Sequence, residues 1–163
     1  MSNKQDEHWC DNRYNKKDGH FVIGELAEKI FRDLENYFLH DLSKTLTVTE
    51  NDIQKEYIID KLKSILHTAE QIELYVKDAN SIYAVYGVDY EMRRRRWLTA
   101  RGYSFQLVAQ LTHISDLTVN KTNIQKYANI STELYTLAEK IKNIMEKDDM
   151  KKKKYCKEYF KET

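Results

Sequence analysis

The chain has 163 residues with a formal net charge of +1, and 41% of them are apolar and 33% charged. This is the balance of one ordinary globular domain, and it excludes a disordered or fibrous protein. The absence of proline and the presence of only four glycines favour long helices, while no stretch has the apolar length of a signal peptide or a membrane span, so we expect a cytoplasmic protein without a membrane partner.

The first half of the chain predicts an arm and two helices. Residues 1–20 are polar without periodicity and are interpreted as a flexible arm. Apolar residues then recur at four-residue spacing, which predicts a helix over residues 22–42, and a Thr-rich segment of poor helix formers follows. A heptad seam predicts a second helix over residues 51–86, ended by Gly87. The seam consists of Ile58, Leu62, Ile65, Ala69, Ile72, Val76, Ala79 and Tyr83.

The third predicted helix, over residues 90–117, combines a cationic cluster with an apolar pattern. It begins at the cap residue Asp89 and contains five of the seven arginines: Arg93, Arg94, Arg95, Arg96 and Arg101. Four consecutive arginines at 100° steps cover most of a helix circumference, so at least one must face a neighbour or a ligand. Two adjacent lines carry the apolar pattern, one through Trp97, Ser104, Val108, Leu111 and Ser115, the other through Leu98, Phe105, Ala109 and Thr112.

The fourth predicted helix carries heptad-spaced apolar residues from Ile124 to Met145 and fades beyond Glu146. Residues 148–163 are interpreted as a basic tail, since Lys151, Lys152, Lys153 and Lys154 are contiguous there. The fold class is therefore all-α: an antiparallel up-down four-helix bundle over residues 21–147, with a polar N-terminal arm and a Lys-rich C-terminal tail.

Charge is distributed unevenly along the chain. Residues 1–90 carry a net charge of −6 and residues 91–163 a net charge of +7. Such polarity suits an anionic partner on one side, but it equally suits attraction between subunits. Two interpretations of the arginine cluster stay open beside nucleic-acid binding: ion pairs with acids of the first two helices, and salt bridges to a neighbouring subunit in a protein-interaction bundle.

No enzymatic or metal motif is present, so we expect a non-enzymatic protein without a cofactor or metal. Cys10 and Cys156 have no paired spacing and predict neither a disulfide nor a zinc site. A minor alternative is a HEPN-like ribonuclease, which needs an Arg and a His close together in the chain. Arg13 and His20 have the required spacing but fall in the predicted arm, whereas Arg32 and His40 fall on a predicted helix with seven residues between them, so neither pair is a good match.

Residues 90–111 read YEMRRRRWLTARGYSFQLVAQL, and after a short break residues 123–145 read NIQKYANISTELYTLAEKIKNIM. This arrangement resembles the second half of the four-helix-bundle family that includes the proteins encoded in 23S rRNA intervening sequences and the Avd accessory proteins of diversity-generating retroelements. The resemblance covers about residues 22–147.

The resemblance implies an oligomeric accessory protein, a pentameric barrel in Avd-like proteins, that binds a reverse transcriptase and its template RNA. It assigns nucleic-acid or partner contacts to the five arginines, with the four contiguous lysines assisting, and RNA rather than DNA as the ligand. The acidic excess of the first half departs from the uniformly basic accessory proteins. We therefore expect one localised basic face.

Overall fold

A computed structural model describes residues 22–48, 52–117 and 121–155, and these residues form four α-helices without a strand. The helices are α1 (Val22–Val48), α2 (Asp52–Ser81), α3 (Gly87–Leu117) and α4 (Lys121–Tyr155). The all-α four-helix bundle predicted from the sequence is thus confirmed. The N-terminal arm, Cys10 and Cys156 lie outside the described residues.

One continuous apolar core lies between the four helices. From the four-residue spacing predicted for α1 it includes Ile30, Leu34 and Phe38, and Leu26 is partly buried against it. It also includes six residues of the predicted seam of α2, while Ile58 at one end of the seam is partly buried and Tyr83 at the other end is exposed. Apolar area removed from water in this core is the main source of stability. Its fully buried large side chains are Trp97, Ile30, Leu34, Leu62, Ile65, Ile72, Leu107, Leu111, Ile114, Ile130, Leu134 and Leu137.

Two helix ends differ from the prediction. The first helix continues through the Thr-rich segment to Val48, because the low helix propensity of threonine costs only a few tenths of a kcal/mol per residue, about 0.7 at most. The second helix ends at Ser81 rather than at residue 86. Its last turn closes with a hydrogen bond from the Ile82 amide to the Ala79 carbonyl, 3.3 Å.

Helix α3 begins three residues before its predicted start, and Asp89 lies inside it. Its carboxylate accepts hydrogen bonds from the amides of Val85 (3.1 Å) and Tyr86 (2.9 Å). Tyr86 therefore occupies the N-cap position, and Asp89 at the third helical position supplies the carboxylate that bonds back to the N-cap amide, as in a capping box. Gly87, predicted to end the second helix, instead opens the third.

Helix α4 continues to Tyr155, past the point at which it was predicted to fade. The structural reason is Asp148, which is buried and makes an ion pair with α3. The first half of the predicted tail, residues 148–155, is thus helical, and residues 156–163 lie outside the described part of the chain.

Each helix packs against the helices that neighbour it in sequence, and α1 also packs against α4. Contacts between α2 and α3 pair Tyr57 with His113 and Asp78 with Arg96. Those between α3 and α4 pair Phe105 with Tyr135 and residue 94 with residue 149. In both interfaces the residue number rises along one helix as it falls along the other.

The structure buries only one of the two lines predicted for α3. Trp97, Ser104 and Leu111 are fully buried, whereas Leu98 and Phe105 on the other line face outward. The exposed residues follow spacings of three and four, which places them on one side of the helix. We call this set the outer stripe, and it consists of Val88, Met92, Arg95, Leu98, Gly102, Phe105 and Ala109.

Candidate nucleic-acid interface

The sequence-predicted cations converge at one end of the bundle, which we call the basic end: Arg93 to Arg96 at the start of α3 and Lys151 to Lys154 at the end of α4. The two segments are in contact, since the Nζ of Lys152 on α4 lies 3.5 Å from a carboxylate oxygen of Glu91 on α3. Residues far apart in the sequence are thereby placed at one end of the fold.

Arg93 is part of the protein interior. Its side chain is 3% exposed, and its Nε donates a 2.7 Å hydrogen bond to Oδ2 of Asp148, whose side chain is 4% exposed. The guanidinium also lies 5.9 Å from the centroid of the Trp97 ring, a cation–π contact that suits a desolvated arginine. The cluster therefore does contain an arginine that faces a neighbour, as the four-residue run predicts.

The pKa of Asp148 reflects the cost of this burial. Burial raises the pKa of its carboxyl above the ordinary value of 3.8, and the charge and hydrogen bond of Arg93 act in the opposite direction. The positive charge of Lys151 also lowers this pKa. The loss of hydration thus disfavours the ionised carboxylate more than Arg93 stabilises it, which is common for buried ion pairs.

Arg94 and Arg96 flank the buried arginine and are bound by acids on opposite sides. The Nη1 of Arg94 donates to both carboxylate oxygens of Asp149 on α4, at 2.8 and 2.7 Å. The Nε of Arg96 lies 3.1 Å from Oδ2 of Asp78 on α2. All four side chains are about half exposed, so solvent screens both pairs and each stabilises the fold by about 0–1 kcal/mol.

Three cations at the basic end remain exposed and form no ion pair with a described residue: Arg95, Lys153 and Lys154. Arg95 lies in the middle of the outer stripe. The Nζ of Lys154 lies 5.2 Å from the ring centroid of its neighbour Tyr155. Since they are exposed and have no carboxylate partner within the described ranges, these three groups are available to a phosphate.

Arg101 lies two turns farther along α3 and is held against α4. Its Nε donates a 3.3 Å hydrogen bond to the carbonyl of Ala138, and its guanidinium lies 5.1 Å from the centroid of the Phe105 ring. No acid of the described residues pairs with it, but the side chain is half-buried. Arg101 and Arg94, seven residues apart, both face α4.

Sequence reasoning missed the acids that hold the arginines. The expectation was pairing with the first two helices, yet two of the three acids, Asp148 and Asp149, belong to α4 and only Asp78 to α2. A signal was present in the consecutive aspartates directly before the lysine run. If the fourth helix had been predicted to continue beyond Glu146, these two aspartates would have been placed opposite the arginines.

Metal binding, membrane insertion and ribonuclease activity can each be compared with the described residues. No group of three or more His, Cys, Asp and Glu among them could hold a metal ion. No helix within the described ranges is long and apolar enough to cross a membrane. For the ribonuclease alternative, Arg32 is paired with Glu28 one turn away, while Arg13, His20 and the His40 side chain lie outside what the structure describes.

No family model, curated protein or solved structure matches the chain. The resemblance noted in the sequence therefore stays a prediction, and function is inferred from the geometry of the basic end.

Proposed function

We propose that this protein is a non-enzymatic accessory protein that binds nucleic acid, RNA rather than DNA, through its basic end. The observation that carries the proposal is that Arg95, Lys153 and Lys154 all lie at the basic end, are exposed, and form no ion pair with an acid of the described residues. Clustered cations bind phosphates and release the counterions condensed on the nucleic acid, which makes binding favourable at low salt.

The other arginines have a different part in this proposal. Arg93 and Arg94 are bound to carboxylates of α4 at 2.7–2.8 Å, and Arg96 lies 3.1 Å from a carboxylate oxygen of Asp78 on α2. These pairs join the start of α3 to both neighbouring helices and so fix the backbone from which Arg95, Lys153 and Lys154 project. Rigid placement of the contact groups reduces the entropy lost on binding. The acids also remove competing positive charge elsewhere at this end, which agrees with a localised basic face.

The family resemblance extends the proposal to partners and assembly. We propose an antiparallel up-down arrangement of the bundle, a homo-oligomer that is pentameric if the resemblance holds, and a reverse transcriptase as protein partner. The opposed residue numbering across α2 with α3 and α3 with α4 supports the arrangement. Copurification of a tagged copy with a reverse transcriptase, compared with an unrelated polymerase, tests the partner.

The nucleic-acid proposal is tested by charge removal at matched positions. We expect the triple variant Arg95→Gln, Lys153→Gln and Lys154→Gln to bind single-stranded RNA more weakly in fluorescence anisotropy and to reduce the salt slope by about 0.7 for each phosphate that is no longer bound. The control variant removes three lysines at the opposite end of the bundle: Lys55→Gln, Lys61→Gln and Lys63→Gln. Equal weakening in both variants would show that net charge alone attracts RNA and would overturn the site.

A second candidate function, assembly through α3, is favoured by the outer stripe. Its large apolar side chains, Val88, Met92, Leu98 and Phe105, are between 41% and 55% exposed. Gly102 between them has no atom within 4 Å of the position that a Cβ would take, so a neighbouring helix can approach closely. Exposed apolar side chains that recur along one side of a helix give a surface on which another helix can pack.

The assembly candidate is tested by oligomer mass. If α3 docks on another subunit, Leu98→Glu should reduce the mass measured by light scattering, since it inserts a charge into the stripe. The control Gln125→Glu introduces the same negative charge at an exposed polar position on α4, away from the stripe. An unchanged mass for Leu98→Glu would exclude this surface as the contact.

A further inference from the structure

The connection between α2 and α3 presents exposed tyrosine rings at the basic end. Tyr83 and Tyr86 both belong to the five-residue segment 82–86 and are 48% and 65% exposed. Among the large apolar or aromatic side chains of the described residues, only Met150 is more exposed than Tyr86. The face of the Tyr86 ring is therefore open to a partner that can stack on it.

The main chain of Tyr86 is firmly held although its ring is exposed. Its amide donates to the Asp89 carboxylate at 2.9 Å, and its carbonyl accepts bonds from the amides of Asp89 (3.1 Å) and Tyr90 (3.3 Å). The Tyr90 side chain is 3% exposed and packs with buried Ala84. The ring therefore projects from a backbone anchored on both sides.

Of the three exposed cations without an ion pair to a described residue, Lys153 and Lys154 lie at the same level of the bundle as Tyr86, and Arg95 lies farther along α3. Lys152 contacts Glu91, and residue numbers in α3 and α4 run in opposite directions, so Lys153 and Lys154 lie level with the first turn of α3. Tyr86 caps that turn. Arg95 lies on the outer side of α3 about 14 Å farther along, at 1.5 Å per residue.

We propose that the basic end takes single-stranded nucleic acid, with an unpaired base stacked on Tyr86 and the adjoining phosphates bound by Lys153, Lys154 and Arg95. This inference rests on the proposed function and specifies its ligand. A ring beside several cations is the arrangement that single-strand-binding surfaces use, because every base has a face that can stack. A duplex keeps its bases stacked inside and offers the ring no partner.

The test uses three probes at low salt: a labelled single-stranded RNA, the blunt duplex of the same sequence, and inorganic polyphosphate as a competitor that has charge but no bases. We expect Tyr86→Leu to weaken single-strand binding by roughly tenfold and to leave duplex binding and polyphosphate competition unchanged. Tyr86→Phe keeps the ring and should bind as the unmodified protein does. Both variants retain the main-chain bonds that start α3.

The control is Tyr57→Leu. Tyr57 is 46% exposed, and the Nζ of Lys61 lies 5.3 Å from its ring centroid. It therefore has an exposed ring and a neighbouring cation, but it lies near the end of α2 that is far from the basic end. If Tyr86→Leu changes no affinity, or weakens all three probes equally, the stacking inference is overturned while the proposed function stands. If the unmodified protein binds none of the probes, both fail.

Discussion

Replacing Arg93 by methionine tests the buried ion pair that joins α3 to α4. Methionine keeps much of the apolar stem but removes the charge, so Asp148 is left with its side chain 4% exposed and without its 2.7 Å partner. The carboxylate must then stay ionised in the interior or take up a proton. Removing one member of a buried pair costs about 3–5 kcal/mol in general.

Protonation sets an upper limit on this cost. Neutralising a carboxyl whose ordinary pKa is 3.8 costs about 4 kcal/mol at pH 7, because each pH unit above that value contributes about 1.36 kcal/mol. The same limit is about 1.6 kcal/mol at pH 5. We therefore expect Arg93→Met to lose about 3–4 kcal/mol at pH 7 and much less at pH 5.

The sign of the pH dependence follows from the direction of the pKa shift. Burial without Arg93 raises the folded pKa of Asp148 still further above its unfolded value. The folded state then holds a proton that the unfolded state releases, so the contribution to stability is full below the unfolded pKa and is lost as the pH rises through the folded pKa. The pH window extends upward from about 4.

The assay is urea unfolding followed by far-UV circular dichroism at both pH values. The matched control is Arg94→Met, since its pair with Asp149 is 43% and 47% exposed and should cost about 1 kcal/mol or less at either pH. The double variant Arg93→Met with Asp148→Leu should return to within about 1 kcal/mol of the unmodified protein. Equal, pH-independent decreases in stability for Arg93→Met and Arg94→Met would refute the reasoning.

Two further predictions concern α3. Trp97→Ala should lower the unfolding free energy by about 3–5 kcal/mol because it opens a cavity in the core. Leu98→Ala, at the exposed neighbouring position, should change it by about 0.5 kcal/mol or less. Similar values for the two variants in urea unfolding would mean that the buried face has been assigned wrongly. Asp89→Ala removes the carboxylate bonded to the amides of Val85 and Tyr86 and should lower the unfolding free energy by about 1 kcal/mol. Asp89→Glu should recover part of that stability. A thermal melt unchanged by Asp89→Ala would contradict the capping assignment.

Periodic apolar spacing sufficed to predict the helices whose buried face is uniform. The seam of α2 from Leu62 to Ala79 is buried throughout, since a heptad repeat keeps one side of a helix toward its neighbours. Helix α3 was harder because it is apolar on two sides. Spacing alone cannot decide which line faces the core, and the buried face proved to include polar Ser104, whose hydroxyl donates to the Ala100 carbonyl at 2.9 Å.

The cations of the candidate site were visible in the sequence, but their roles were not. Which arginine is buried depends on the acid opposite it, and that acid lies 55 residues away in the chain. The predicted end of the fourth helix hid this contact, since a helix that faded before Asp148 could not place it. Exposure of the Tyr86 ring depended in turn on where α3 begins, which the capping carboxylate of Asp89 determines.

The central claim, that the basic end binds nucleic acid through exposed cations, is tested most directly by a salt titration of single-stranded RNA binding. Three phosphate contacts should give a linear fall of log K with log salt, with a slope of about −2 for a single strand. The triple variant of Arg95, Lys153 and Lys154 should give a slope close to zero. A slope near zero for the unmodified protein, or absence of binding at low salt, would contradict the claim.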